Sequence, residues 1–124
     1  MGIEPFLITS SVLAIIAQRL VRTICPSCKR PAEVSSACMK DLCVTEEDLK
    51  EATLFTGDGC DKCMQTGFYG RTGIYEIMKI SESIKKKIIS TSDANAIKEA
   101  AVIEGMRTLR EDGSDKIMKG ITTP

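Results

Sequence analysis

Six cysteines stand in 124 residues, and four of them form two Cys-x-x-Cys pairs, Cys25-Pro-Ser-Cys28 and Cys60-Asp-Lys-Cys63. Each pair can present two thiolates from one tight turn, and four thiolates at about 2.3 Å saturate tetrahedral Zn2+. A saturated ion keeps no position for water or substrate, so Cys25, Cys28, Cys60 and Cys63 point to a structural cross-link rather than to catalysis. The pairs are 31 residues apart, more than the ~15 to 20 common in ribbon-type sites. Pro26 and Lys29 accompany the first pair and Gly59 and Lys62 the second; the turn formers shape the knuckles and the cations favour thiolate over thiol. Two rival chemistries remain open, a redox-active Cys-x-x-Cys and disulfides. Cys38 and Cys43 lack the paired spacing and read as spare thiols, with ligand exchange as the alternative.

The rest of the chain offers no complete catalytic set. There is no histidine, which removes imidazole acid–base chemistry, a Ser-His-Asp triad and a mixed Cys/His metal site. The run Gly67-Phe-Tyr-Gly-Arg-Thr-Gly73 is glycine-rich but lacks the GxxxxGK[ST] pattern, and reads as a turn rather than a phosphate cradle. Glu76 lies on an otherwise apolar strand face and is expected to pair with Arg19, Arg22 or Arg71. No residue is assigned a catalytic role. Seventeen Lys and Arg balance seventeen Asp and Glu, so no overall field draws the chain to nucleic acid or to an anionic membrane.

Composition bounds what can hold such a site. Apolar residues make up 43% of the chain and aromatics 4%, with no Trp, so any core is aliphatic and fits one modest domain or a piece of a larger one. No apolar run reaches the ~18 to 20 residues of a spanning helix, since Val12 to Ala17 meets Gln18 and Arg19. Glu4 and Pro5 replace the basic start of a signal peptide. The expected location is the cytoplasm, where reducing thiol pools favour metal binding over disulfides.

Around the cysteines the pattern divides in three. Leu13, Ile16, Ala17, Leu20, Val21 and Ile24 recur at helical spacing, yet the same stretch is rich in β-branched residues and alternates tolerably, leaving helix and strand both open. From Cys25 to Cys63 breakers dominate, and the one helix signal is Thr45 to Ala52, where Thr45 and Asp48 have capping-box spacing. Thr72 to Ile80 reads as a strand, with Ile74, Glu76, Met78 and Ile80 on one side and Tyr75 and Ile77 on the other. Three short helices follow. The first is capped by Ser81 and runs through about Thr91, carrying Ile84, Ile88 and Ile89, with Lys85 to Lys87 as a solvated face. The second starts near Asp93, turns Ile97, Ala100, Ala101 and Ile103 inward, and exits at Gly105. The third opens at Thr108 with Glu111 at capping-box spacing and stops at Gly120.

In sequence order, the motifs Gly2-Ile-Glu-Pro-Phe-Leu7, Ala17-Gln-Arg-Leu-Val-Arg22, Cys25-Pro-Ser-Cys-Lys29, Gly59-Cys-Asp-Lys-Cys63, Thr66-Gly-Phe-Tyr-Gly-Arg-Thr-Gly-Ile-Tyr-Glu76 and Gly105-Met-Arg-Thr-Leu109 span nearly the whole chain. Together they closely resemble the C-terminal part of GspE/PilB-type ATPases, the motors of type II secretion and type IV pilus assembly. The resemblance implies an α/β parent, α+β in this piece: part of a RecA-like motor domain, an inserted four-cysteine zinc module and a C-terminal bundle of short helices. Its implied division is 1–24 as the end of the RecA-like core, 25–66 as the zinc module, 67–80 as the returning strand and 81–124 as the helical subdomain. It also implies a helix over roughly Pro5 to Val12 and a strand over Ile15 to Ile24, paired with the strand after the module.

Functionally, the resemblance implies a non-catalytic, zinc-binding fragment. ATP and Mg2+ would be bound only by the full-length parent, because this chain has no Walker A or Walker B box. The implied partners are the remainder of the ATPase chain, neighbouring subunits of a hexamer and inner-membrane platform proteins, with no nucleic acid; the implied location is cytoplasmic and peripheral at the inner membrane through those proteins. Secretion is favoured slightly over pilus assembly. A zinc-ribbon nucleic-acid module and a thiol redox switch are the readings from other classes.

Overall fold

The computed structural model describes residues 2–33 and 53–124. Its class is α+β. Pro at the first position, with φ preset, opens helix α1 over Pro5–Ser11. Strand β1 follows over Ala14–Ile24. Two short strands, β2 at Lys29–Pro31 and β3 at Phe55–Gly57, precede a 3-10 turn at Asp61–Cys63. Strand β4 covers Phe68–Lys79. Helices α2 (Glu82–Ser90), α3 (Ala94–Ile103) and α4 (Leu109–Met118) complete the order. The capping-box helix expected at Thr45 to Ala52, and Cys38 and Cys43, lie outside the described residues.

The ambiguous first stretch is a strand, as the family resemblance implies and against its 3.6-residue periodicity. β1 and β4 form a two-stranded sheet. The Cys25 amide donates to Gly67 O at 3.0 Å and the Ile80 amide to Leu13 O at 3.0 Å, so the strands run antiparallel. β4 starts at Phe68, four residues before the expected Thr72. The glycine-rich run, expected to be a turn, instead opens β4: pairing with the long β1 overrides the weak strand preference of Gly70 and Gly73, and Gly70 is accommodated at φ +82.

The described chain separates into two compact units, each taking one length of each long strand. The first comprises Met1–Ala17 and Tyr75–Thr108. Its core is Ile80, Ile84 and Ala101, with Val12, Met78, Ile88, Ile97, Ala100 and Met106 packed around them. The alternation expected on β4 is present: Ile80 and Met78 turn to this core while Tyr75 and Ile77 are exposed. Ser81 Oγ accepts from the Ile84 amide at 3.2 Å and donates to Glu104 Oε2 at 2.6 Å, tying the start of α2 to the end of α3. Two expected inward residues are corrected: Ile89 is 62% and Ile103 86% exposed. Ile103 is the last residue of α3, beyond which Gly105 at φ +95 reverses the chain and brings Met106 back to the core in its place. Glu76 pairs with Lys98 at 3.7 Å, a cation outside the three named from sequence.

The second unit comprises Gln18–Ile74 and Leu109–Pro124. β2 and β3 pair antiparallel, with Lys29 opposite Gly57, Arg30 opposite Thr56 and Pro31 opposite Phe55. Among the described residues its buried ones are Ile24, Cys25, Leu54, Cys63, Gly67, Ser114, Ile117, Gly120 and Thr122. At the end of α4 the Gly120 amide donates to Ile117 O and the Ile121 amide to Lys116 O, both at 2.8 Å. With Gly120 at φ +64 this is a Schellman exit, and it turns the final residues toward β1. Among the described residues no helix is long and apolar enough to cross a membrane.

Candidate metal centre

The first knuckle leaves the end of β1. The Cys28 amide donates to Cys25 O at 3.3 Å, closing the turn around Pro26, and the Asp58 amide donates to Cys28 O at 3.2 Å. The second knuckle is the 3-10 turn. Here the Cys63 and Gln65 amides both donate to Cys60 O, at 3.1 and 2.9 Å, and Thr66 Oγ donates to Cys63 O at 2.6 Å. Met64 and Gln65 take φ of 52° and 62°, a left-handed pair that is costly for side-chain-bearing residues. It brings the Gly67 N–H back onto Cys63 Sγ at 3.3 Å, where the Cys60 N–H, from before the turn, already donates at 3.2 Å.

The fold brings all four expected cysteines together. Their Sγ atoms lie within 4.8 Å of one another. The separations are 3.8 Å for Cys25 to Cys60, 3.9 Å for Cys28 to Cys63 and 3.6 Å for Cys60 to Cys63. A regular tetrahedron with metal–sulfur distances of about 2.3 Å has sulfur–sulfur edges of about 3.8 Å. Each thiol is free, and the separations exceed the roughly 2.05 Å of a disulfide. The donor set and its spacing therefore fit a tetrahedral, thiolate-loving divalent ion. Cys25 and Cys63 are buried and Cys28 and Cys60 are half-buried.

The electrostatics divide the sulfurs. Burial pushes the Cys63 thiol up, but hydrogen bonds from the Cys60 and Gly67 amides, together with those from the Cys60 and Cys28 thiols, outweigh it and bring the group down to about 6. Burial pushes the Cys28 thiol up to about 12, reinforced by the neighbouring thiols and opposed by a backbone hydrogen bond from Gly59. One sulfur is thus prepared as an anion, while the proton of another must be displaced by the metal ion and released to solvent.

The sequence did not reveal what supports these ligands. Gly57 and Gly67 approach so closely that a Cβ on Gly57 would overlap the Gly67 carbonyl; the two glycines themselves, one ending β3 and one preceding β4, were the only signal. Lys29 Nζ stacks 4.1 Å from the Phe55 ring centroid across β2 and β3, and Arg22 4.0 Å from that of Phe68. Arg30 pairs with Asp58 on the exposed side of the same hairpin.

With this geometry in view, comparison with known proteins places the whole chain. The family model described as "Type II/IV secretion system protein" matches residues 1–124. The chain belongs to that family. It is 39% identical, over 99% of its length, to the "Type IV pilus assembly ATPase PilB" of Thermus thermophilus, covering 14% of that protein. It is 42% identical over 99% of its length to the "Type II secretion system protein E" of Aeromonas hydrophila, covering 24% of it. The "Type II secretion system ATPase E" of Vibrio cholerae is 41% identical over the same share of this chain, which again covers 24% of it. This secretion-family chain thus spans a quarter or less of the length of these curated relatives.

Proposed function

We propose that the chain is the zinc-binding, non-catalytic C-terminal part of a secretion-system ATPase, in which Cys25, Cys28, Cys60 and Cys63 hold one structural Zn2+. The four converging sulfurs, in a chain matched by the secretion family from end to end, carry this reading. When bound, the ion supplies a cross-link to a knuckle region that has little extended apolar pattern of its own. The chain's own residues position it: β1 and β4 carry the module, and α4 belongs to the same compact unit. On this reading 1–24 ends the RecA-like core, 25–66 is the zinc module, 67–80 returns to the sheet and 81–124 is the helical subdomain.

ATP and Mg2+ belong to the parent's preceding residues, and the partners are those residues, neighbouring subunits of a hexamer and the platform proteins of the inner membrane, all on the cytoplasmic side. The exposure of Ile15, Ile16 and Leu20 on β1, at 46%, 63% and 61%, supports a strand that further chain covers in the parent. Export through a type II system is the first assignment. Pilus assembly is the second, supported by the similarity to the pilus assembly ATPase of Thermus thermophilus. Metal analysis and ATP turnover on this chain test the reading together: one Zn2+ per chain with no hydrolysis is expected, and appreciable turnover or the absence of bound zinc overturns it.

A further inference from the structure

The first knuckle is gripped by a segment almost a hundred residues away. Ile24 and Cys25 are consecutive and buried, and their amides are engaged by different elements. The Cys25 N–H donates to Gly67 O at 3.0 Å, on the β4 side; the Ile24 N–H donates to Ile121 O at 2.9 Å. Consecutive amides of an extended chain point to opposite edges, so residues after α4 occupy the edge of β1 that β4 leaves. Thr122, 6% exposed, adds a second tie by donating from Oγ1 to Arg22 O at 2.7 Å.

The same segment also touches the chain beyond the knuckle. A Cβ on Gly120 would lie 2.6 Å from Phe55 Cδ2 and 2.7 Å from Lys29 Nζ. Lys29 directly follows Cys28. Three consecutive residues, Gly120, Ile121 and Thr122, therefore bracket Cys25 and Cys28, holding the backbone just before one and packing on the side chain just after the other.

We infer that Gly120–Thr122 are positioning residues of the metal centre, setting the first knuckle for its ion and making the exit of the last helix and the four cysteines one cooperative unit. The inference rests on the zinc reading above. Outer groups that orient metal ligands typically contribute 10- to 100-fold to affinity. Coupling is also reciprocal: if the docked segment strengthens metal binding, metal must strengthen docking by the same factor.

The test is Co2+ titration against a competing chelator, read by the thiolate-to-cobalt absorption, on the wild-type chain, Thr122→Val and Thr122→Ser. Valine keeps the shape of threonine and removes the O–H donor; serine restores the donor. Thr122→Val is expected to weaken Co2+ binding about tenfold, and Thr122→Ser to recover most of that loss. In the wild-type chain, chelation of Zn2+ is expected to speed hydrogen exchange at the Ile24 amide, which donates to Ile121 O, by a similar factor. That measurement stands even where a variant folds poorly. Equal Co2+ affinities for wild type and Thr122→Val, or Ile24 exchange indifferent to chelation, overturn the inference and leave the zinc reading intact. A wild-type chain giving no four-thiolate cobalt spectrum overturns both.

Discussion

Gly57 and Gly67 meet backbone to backbone: a side chain on either would run into the other's carbonyl group. Gly57 ends β3, and Gly67 donates its amide to Cys63 Sγ while its carbonyl accepts from Cys25. The crossing thus brings β3, the second knuckle and the start of β4 to one point. Gly67 is at φ +75, where any side chain is strained in addition to clashing.

Alanine at either glycine is therefore expected to destabilise the metal-bearing unit by about 2 to 4 kcal/mol. Gly67→Ala should be the worse of the two, because it adds backbone strain to the overlap. Denaturant unfolding of the zinc-loaded chain measures both, and a loss under about 0.5 kcal/mol for Gly67→Ala would contradict the crossing.

Serine at Cys25, Cys28, Cys60 or Cys63 leaves three thiolates and a weak hydroxyl donor. Each replacement should abolish stoichiometric zinc and expose the knuckles to proteolysis, since metal binding free energy is folding free energy in such modules. Cys38→Ser and Cys43→Ser are expected to keep one zinc per chain. Elemental analysis of all six variants gives the answer, and loss of zinc in either of the last two would redraw the ligand set.

The divided thiols give a pH signature. Cys63, held at about 6, is already a thiolate at pH 7.5, whereas Cys28, raised to about 12, still carries its proton. Metal must displace the Cys28 proton throughout the working range, so affinity should climb as pH rises from 6 to 8. Adding Zn2+ in weak buffer should release the Cys28 proton at both ends of that range and the Cys63 proton only near the lower end. In the metal-free fold the sign for Cys63 follows from its lowered value: its ionisation stabilises the fold fully above the ordinary thiol value of 9.0, and that contribution fades as pH falls through about 6. Potentiometric proton counting at pH 6 and pH 8 checks the pattern, and equal release at both would remove the special status of Cys63.

The cysteine cluster was legible because Cys-x-x-Cys is a local code: each pair fixes its own geometry, and only the meeting of two pairs needed the fold. The Ser81 cap was legible for the same reason, its Oγ accepting from the Ile84 amide. β1 was not legible from pattern, because Leu13, Ile16, Leu20 and Ile24 satisfy a helical period while the deciding partner, β4, lies more than forty residues on. Nor was the grip on Arg22 and Ile24 by Thr122 and Ile121, which uses backbone groups that every sequence carries. Long-range backbone pairing leaves no residue-type signal, and there the family resemblance supplied the strand that periodicity missed.

Helix α2 offers the sharpest test of that boundary, because Ile84 and Ile89 looked alike in sequence. Both are isoleucines after the Ser81 cap, five positions apart, which on a helix is about 500° and so 140° around the axis. They cannot share a face. Ile84 is fully buried in the core with Ile80 and Ala101, and the residue four positions on, Ile88, packs beside it; Ile89 is 62% exposed. Ile84→Ala removes a side chain from a closed site and is expected to cost about 2 to 5 kcal/mol. Ile89→Ala trades a β-branched residue for the best helix former on an open face, and is expected to change stability by less than about 0.5 kcal/mol. Paired denaturation curves decide it. A cost at Ile89 approaching that at Ile84 would mean that the open side of α2 is covered, and the buried core of this unit would then extend beyond the residues that define it here.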